Sequence, residues 1–213
     1  MKLLHTLSLT AAACLIMNTS EAAKVKLKSG SLDALSGVTE MNVKYDYSDM
    51  TVTTKNRPEA EFMEDKKADY NKKEAGKGDK WAESWVADRD KRYKVQFKEE
   101  FDKQSGITLK ENSDAKYTLI FHTTHTETGF NIGVTRRNAY IDGEATIVET
   151  ANPSNVIAVI TVEDAQGGTF GGYDFDTGTR LQEAYAVEGK YRGKFINKKV
   201  KQAPWPLSEK PAP

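Results

Sequence analysis

Three segments of alternating apolar and polar residues follow one another in the second half of the chain, and they constrain the fold more than any other feature. They cover residues 117–126, 138–150 and 156–163. Alternation of this kind predicts β-strands, because successive side chains of a strand point to opposite faces of a sheet. Turn-forming residues such as Asn152-Pro153-Ser154-Asn155 separate the segments. We therefore predict an antiparallel meander of three strands.

Helices are predicted on both sides of this meander. Residues 57–75 begin with a proline and two acidic residues nearby, which is typical of a helix start. Residues 79–103 carry an aromatic stripe that we expect to bury against a sheet: Trp81, Trp85, Tyr93, Phe97 and Phe101. Residues 179–198 form the last predicted helix, with a capping box at Thr179 and Gln182. Its Gly189 and Gly193 would allow a close helix neighbour.

A further strand is predicted at residues 39–53, where Met41, Val43 and Tyr45 alternate with polar residues. Residues 24–28 form a weaker, lysine-rich alternation that suits an edge strand. The element order is therefore strand, two helices, three strands and helix. It predicts an α+β fold in which helices pack on a mixed β-sheet, because a strand connected to a strand through helices favours a parallel crossover.

The N-terminus has the parts of a secretory signal peptide. A basic start at Lys2 precedes an apolar stretch at residues 7–17, which is too short to span a bilayer. Ser20 and Ala22 fit the small-residue positions before a cleavage site. We therefore expect a signal peptide at residues 1–23, one domain at residues 24–200, and a proline-rich tail at residues 201–213. The expected location is periplasmic or secreted.

Cys14 is the only cysteine, and Ala11-Ala12-Ala13-Cys14 resembles a lipobox. A lipoprotein anchored through Cys14 is therefore the alternative to a cleaved, released protein. Under either reading the folded domain has no thiol for a disulfide, a zinc site or a nucleophile. Lysine plus arginine and aspartate plus glutamate each number 31. The absence of a basic excess argues against nucleic acid as a partner.

Two glycine- and aromatic-rich segments are the candidate contact sites. The first is a predicted hairpin at residues 128–134 with its flanking arginines, and its candidate residues are Phe130, Ile132, Arg136 and Arg137. The second is a loop at residues 167–178, and its candidate residues are Phe170, Tyr173, Asp174 and Asp176. Exposed aromatic and apolar side chains would form contact surfaces, whereas burial would make them core residues.

Metal and phosphate sites are weakly indicated. His122 and His125 are three residues apart on a predicted strand, which would place them on opposite faces. Asp174 and Asp176 evoke a calcium loop, but the following positions do not continue the pattern. Helix capping and loop solvation by Asp176 and Thr177 are the better-supported roles. The same carboxylates would repel a phosphate. No metal, cofactor or catalytic residue is therefore predicted.

Residues 117–133 and Gly171-Gly172-Tyr173-Asp174-Phe175-Asp176-Thr177-Gly178 resemble segments of uncharacterised exported proteins from Gram-negative gut anaerobes. The element order is more loosely similar to that of curli-assembly lipoprotein and TolB N-terminal domains. These resemblances imply an envelope location and an α+β fold, and they supply no catalytic residues.

The sequence therefore favours a non-enzymatic envelope protein that acts as a binding or assembly accessory domain, with an envelope protein or a glycan as its partner. The alternative is a carbohydrate-binding or carbohydrate-processing domain that uses residues 173–176. No sequence feature fixes the oligomeric state.

The export hypothesis has a direct test in the mass of the protein isolated from its native cells. We expect a mature chain that begins at Ala23 or Lys24, because Ser20 and Ala22 suit signal peptidase cleavage. A chain that begins at an acylated Cys14 would establish the lipoprotein alternative. Intact Met1 in cytosolic material would exclude both.

Overall fold

The computed structural model describes residues 23–167 and 176–202. The predicted signal peptide up to residue 22, with Cys14, and the tail from residue 203 lie outside these residues. The described strands are β1 (Lys24–Gly30), β2 (Glu40–Asp46), β3 (Thr51–Val52), β4 (Arg57–Pro58), β5 (Thr108–Lys110), β6 (Tyr117–Glu127), β7 (Phe130–Asn131), β8 (Arg136–Arg137), β9 (Ala139–Glu149) and β10 (Asn152–Gly167). The described α-helices are α1 (Glu59–Lys73), α2 (Lys77–Asp88), α3 (Lys94–Ser105) and α4 (Thr177–Gln202).

One mixed sheet holds most of the strands, in the order β1-β10-β9-β6-β2-β5. Strands β6, β9 and β10 form the predicted antiparallel meander, and β1 extends it antiparallel to β10. Strand β2 runs parallel to both β5 and β6, as the crossover through helices requires. The predicted α+β class is confirmed. The turn expected at residues 152–155 lies within β10, which pairs irregularly with β9 there.

The predicted second helix is divided by one π-helical turn at Arg89–Tyr93. This turn changes the direction in which the aromatic stripe points. Trp81 and Trp85 on α2 contact Phe62 of α1, with ring centroids 6.0 and 5.4 Å apart. Phe97 on α3 instead stacks on Phe121 of β6 at 4.4 Å. The expectation that the whole stripe packs on the sheet is therefore wrong for its first half.

Helices α3 and α4 pack closely because α4 presents glycine at two crossing points. A Cβ at Gly189 would lie 2.3 Å from the Phe97 carbonyl oxygen, and one at Gly193 would lie 2.8 Å from the Phe101 carbonyl oxygen. Neither distance accommodates a side chain, so the predicted close helix approach at these glycines is confirmed. Glycine lowers the stability of the helix itself, and the close contact between the two helices offsets this cost.

A fully buried ion pair connects α4 to the sheet. Arg192 and Glu188 both have 0% side-chain exposure and bond to each other one helical turn apart. The Arg192 guanidinium also donates hydrogen bonds to the backbone carbonyl oxygens of Ile160 in β10 (2.7 Å) and Gly143 in β9 (3.3 Å). Gly143 leaves room for this arrangement, because a Cβ there would lie 2.4 Å from the Phe121 ring.

Loss of one member of this pair would destabilise the fold more than loss of both. We expect Arg192→Met to lower the free energy of unfolding by about 3–5 kcal/mol, because it leaves Glu188 buried without a compensating charge. The double variant Glu188→Leu/Arg192→Met removes both charges and should recover much of the loss. Urea denaturation measures both values. Equal stability of the two variants would contradict the ion-pair explanation.

Candidate functional site

The β7–β8 hairpin presents an apolar tip to solvent. Phe130, Ile132 and Val134 are 41, 65 and 94% exposed. Arg136 and Arg137 on β8 are also exposed, and the Arg137 guanidinium lies 6.0 Å from the Phe130 ring centre. The four candidate residues of this segment therefore lie together on one exposed element. Their role in binding stays a prediction.

The base of this hairpin is fixed to the rest of the molecule. The buried Arg180 of α4 donates hydrogen bonds to the backbone carbonyl oxygens of Thr128 (3.2 Å) and Gly129 (3.5 Å). Gly129 has a φ of 57°, and a Cβ there would lie 2.4 Å from the Arg137 carbonyl oxygen. A glycine is required at this point, so the hairpin leaves the sheet in a defined direction.

The second candidate segment is described only from Asp176 onward. Phe170, Tyr173 and Asp174 lie outside the described residues. Asp176 caps α4: its Oδ2 accepts hydrogen bonds from the backbone nitrogen (2.8 Å) and the hydroxyl (3.0 Å) of Thr179. The helix therefore begins at Thr177 with Asp176 as its cap, so the capping role expected for Asp176 is confirmed. The predicted capping box led by Thr179 is wrong.

Asp176 also lines a concave groove that we call the aromatic groove, with a volume of about 210 Å³. The groove lies between α1, α2, the π turn and the start of α4. Its aromatic side consists of Tyr70, Trp81, Trp85 and Tyr93, and its polar side consists of Ser84, Asp88, Asp176, Thr177 and Gly178. Phe130 is not part of this groove. Of the candidate residues that the structure describes, Asp176 therefore lines the groove, and those of the hairpin do not.

Arg92 holds the two carboxylates of the aromatic groove. Its Nε lies 3.1 Å from Asp88 Oδ1, and its Nη1 lies 2.6 Å from Asp176 Oδ2. Burial raises the pKa of Asp88 above its ordinary value, and the charge of Asp176 adds to this effect. Burial also acts to raise the pKa of Asp176, but hydrogen bonds from Arg92 and Thr179 outweigh it and lower the pKa.

Tyr93 contributes a buried phenol to the groove wall. Its side chain is 5% exposed and stacks on Tyr185 with ring centroids 4.7 Å apart. Burial raises the pKa of Tyr93, and the negative charge of Asp88 raises it further. The hydroxyl therefore stays protonated and can donate a hydrogen bond.

A charged cluster behind the groove fixes the position of Trp85. Its indole nitrogen donates a hydrogen bond to Glu59 Oε1 at 2.5 Å. The same carboxylate accepts hydrogen bonds from Arg89, whose guanidinium lies 4.3 Å from the Tyr47 ring centre. These contacts join α1, α2 and the π turn. The groove wall is therefore built on fixed elements.

The aromatic groove was not predicted from the sequence, which indicated only burial for three of its aromatic residues. Trp81, Trp85 and Tyr93 were expected only as parts of a buried stripe. No local pattern distinguishes a half-buried tryptophan from a core tryptophan. The sequence feature that comes closest to indicating the groove is the acidic residue Asp88, which lies one turn after Ser84 on the same helix as the two tryptophans.

The two histidines lie on the same face of the sheet, contrary to expectation. Strand β6 has a bulge between Thr123 and His125, so His122 pairs with Glu144 and His125 pairs with Asp142, two residues apart on β9. His122 Nε2 contacts the Ser48 carbonyl oxygen at 2.7 Å. His125 Nδ1 contacts the Thr51 hydroxyl at 2.8 Å. Both histidines have structural contacts.

Two further observations concern residues 23–167 and 176–202 only. Within them, no group of three or more histidine, cysteine, aspartate or glutamate side chains is arranged to hold a metal ion. None of their helices is both long enough and apolar enough to cross a membrane.

Comparison with known proteins gives only distant structural likeness. No protein-family model matches the chain, and no curated protein matches it. PelC from Paraburkholderia phytofirmans, solved as a dodecamer in two crystal forms, is 11% identical, with TM-scores of 0.35 and 0.36 over 78% of this chain and 96% of PelC. A Xanthomonas campestris protein of the DUF330 family is 10% identical, with a TM-score of 0.39 over 77% of this chain and 86% of its own.

The double role of Asp176 as helix cap and Arg92 partner is testable by substitution. We expect Asp176→Ala to lower the free energy of unfolding by about 1 kcal/mol, chiefly through loss of the cap. Asp90→Ala, which removes an exposed carboxylate paired with Lys94 in the next turn, is the matched control and should have little effect.

The pH dependence of this difference follows from the lowered pKa of Asp176. A lowered folded-state pKa stabilises the protein above the unfolded pKa of about 3.9, and the contribution is lost as the pH falls through the folded value. The stabilities of the wild type and Asp176→Ala should therefore converge in acid. A difference that is independent of pH would contradict this assignment.

Proposed function

We propose that this protein is a non-enzymatic binding domain of the cell envelope, and that the tip of the β7–β8 hairpin contacts a partner protein. The observation that carries the proposal is the exposure of Val134, Ile132 and Phe130 on one short, anchored element. Contiguous apolar surface of this kind is typical of interaction sites. The envelope setting rests on the signal peptide predicted from the sequence.

The charge of the hairpin indicates the chemistry of the partner. Residues 128–138 contain Arg136 and Arg137 and no acidic residue. A partner surface with an apolar pocket for Ile132 and Val134, bordered by carboxylates, would complement this segment. Arginine beside apolar side chains is a frequent composition of energetically important contacts.

The anchoring of the hairpin supports the same proposal. Arg180 and Gly129 fix its base, so the tip is presented in a defined direction before a partner arrives. A surface that is already ordered loses less conformational entropy on binding. The hairpin therefore meets two requirements of a contact site, which are exposure of apolar side chains and a fixed orientation.

Photo-crosslinking tests this proposal. We expect a photoreactive amino acid at position 134 to give a discrete protein adduct in native envelopes, because Val134 is 94% exposed at the hairpin tip. The matched control is the same amino acid at position 95, where Val95 is 51% exposed on α3.

Charge removal on the hairpin provides the second arm of this test. Arg136→Gln/Arg137→Gln should reduce the adduct at position 134 and its sensitivity to salt, because fewer ionic contacts remain. Identical adducts from positions 134 and 95, or an adduct indifferent to the arginines, would refute the assignment of the hairpin as the contact surface.

A further inference from the structure

The aromatic groove is a concave surface, and it is separate from the exposed hairpin of the proposed function. We propose that it binds a neutral, hydroxyl-rich ligand, the chemical class of saccharides. Its volume of about 210 Å³ is below the ~300–1,000 Å³ typical of sites for drug-sized molecules. The groove therefore suits one sugar ring at a time, taken either free or as part of a chain.

Trp81 provides a rigid apolar platform for such a ring. It is half-buried and contacts Phe62, Tyr70 and Trp85, with ring centroids 6.0, 5.8 and 5.6 Å apart. A tryptophan held on several sides offers a large contact area at little entropic cost. The aliphatic face of a sugar ring is a suitable partner for such a platform, because it buries apolar surface while its hydroxyl groups remain at the rim.

The opposite wall supplies hydrogen-bonding groups for hydroxyls. Asp88 and Asp176 offer carboxylate oxygens whose position is fixed by Arg92. Gly178 lets both carboxylates lie close to the start of α4, since a Cβ there would lie 2.2 Å from Asp88 Oδ2 and 3.2 Å from Asp176 Oδ2. Tyr93, which also lines the groove, adds a hydroxyl donor. A sugar hydroxyl both donates and accepts, so it can satisfy both kinds of group.

The charges around the groove favour a neutral ligand over an ionic one. A phosphate would face Asp88 and Asp176. A cation would meet Arg92 between these carboxylates, and the Tyr70 ring already has the ammonium groups of Lys66 and Lys73 at 5.9 and 5.8 Å. Hydroxyl groups carry no net charge and avoid both repulsions. This balance distinguishes a saccharide from the other ligands that aromatic rings and carboxylates attract.

Binding is measurable through the tryptophans of the groove, because Trp81 and Trp85 are two of the three tryptophans in the chain. Methyl glycosides of neutral hexoses and N-acetylhexosamines, and their disaccharides, are titrated into the full mature protein while intrinsic fluorescence is followed. Spermidine and inorganic phosphate are titrated in parallel. For a single sugar ring we expect a dissociation constant of about 1 mM, from the usual affinity per atom of small ligands.

Two variants assign the binding to the groove. Trp81→Ala removes the platform, and Ser84→Arg fills the groove from an exposed position where folding is not at risk; each should weaken binding about tenfold or more. Val86→Arg places the same side chain at an exposed position of α2 outside the groove and should bind like the wild type. Circular dichroism confirms folding of each variant.

The possible outcomes separate clearly. Glycoside binding that is lost in Ser84→Arg and kept in Val86→Arg supports the proposal. Absence of glycoside binding, binding that survives both groove variants, or binding of spermidine or phosphate in place of glycosides would overturn it. Substitutions of the hairpin leave this assay unchanged, so its failure is independent of the proposed protein contact.

Discussion

The buried Arg192–Glu188 pair is the interaction on which the arrangement of the other elements depends. It lies beneath the sheet with no solvent to compensate its charges, so both side chains must be satisfied by the protein itself. Backbone carbonyl oxygens of β9 and β10 provide the remaining acceptors for Arg192. Helix α4 is thereby fixed in both register and rotation relative to the two strands that it covers. The start of the helix, with Arg180 in its first turn and Asp176 as its cap, is positioned as a consequence.

From this fixed helix the two candidate surfaces extend in different directions. Arg180 secures the base of the β7–β8 hairpin, and Asp176 reaches Arg92 next to the π turn. The π turn inserts an additional residue into the helical path, which separates the half that faces α1 from the half that faces the sheet. Trp81 therefore contacts α1 and lines the aromatic groove, whereas Phe97 packs on the sheet.

The sequence predicts the elements whose pattern is local and misses the features that depend on distant partners. The alternation in residues 117–163 and the glycines at 189 and 193 correctly indicated the meander and the close helix contact. The bulge before His125 places that histidine on the same face as His122, and no feature of residues 122–125 predicts the bulge. The groove combines Tyr70, Asp88 and Asp176, whose proximity arises only after α4 has docked. The burial of Arg192 was also not predicted, because charged residues are usually exposed.

Strand β1 limits how copies of this protein can associate. It forms one border of the sheet, and its three lysines pair with acidic residues of β9 and β10: Lys24 with Asp164, Lys26 with Glu163 and Lys28 with Glu144. A second copy that added its own β1 alongside would bring these ammonium groups close to their equivalents. At the other border, β5 offers only three residues for pairing. Edge-to-edge pairing of sheets from two copies is thus discouraged at both borders, so the sheet of one copy does not serve as a template for the next.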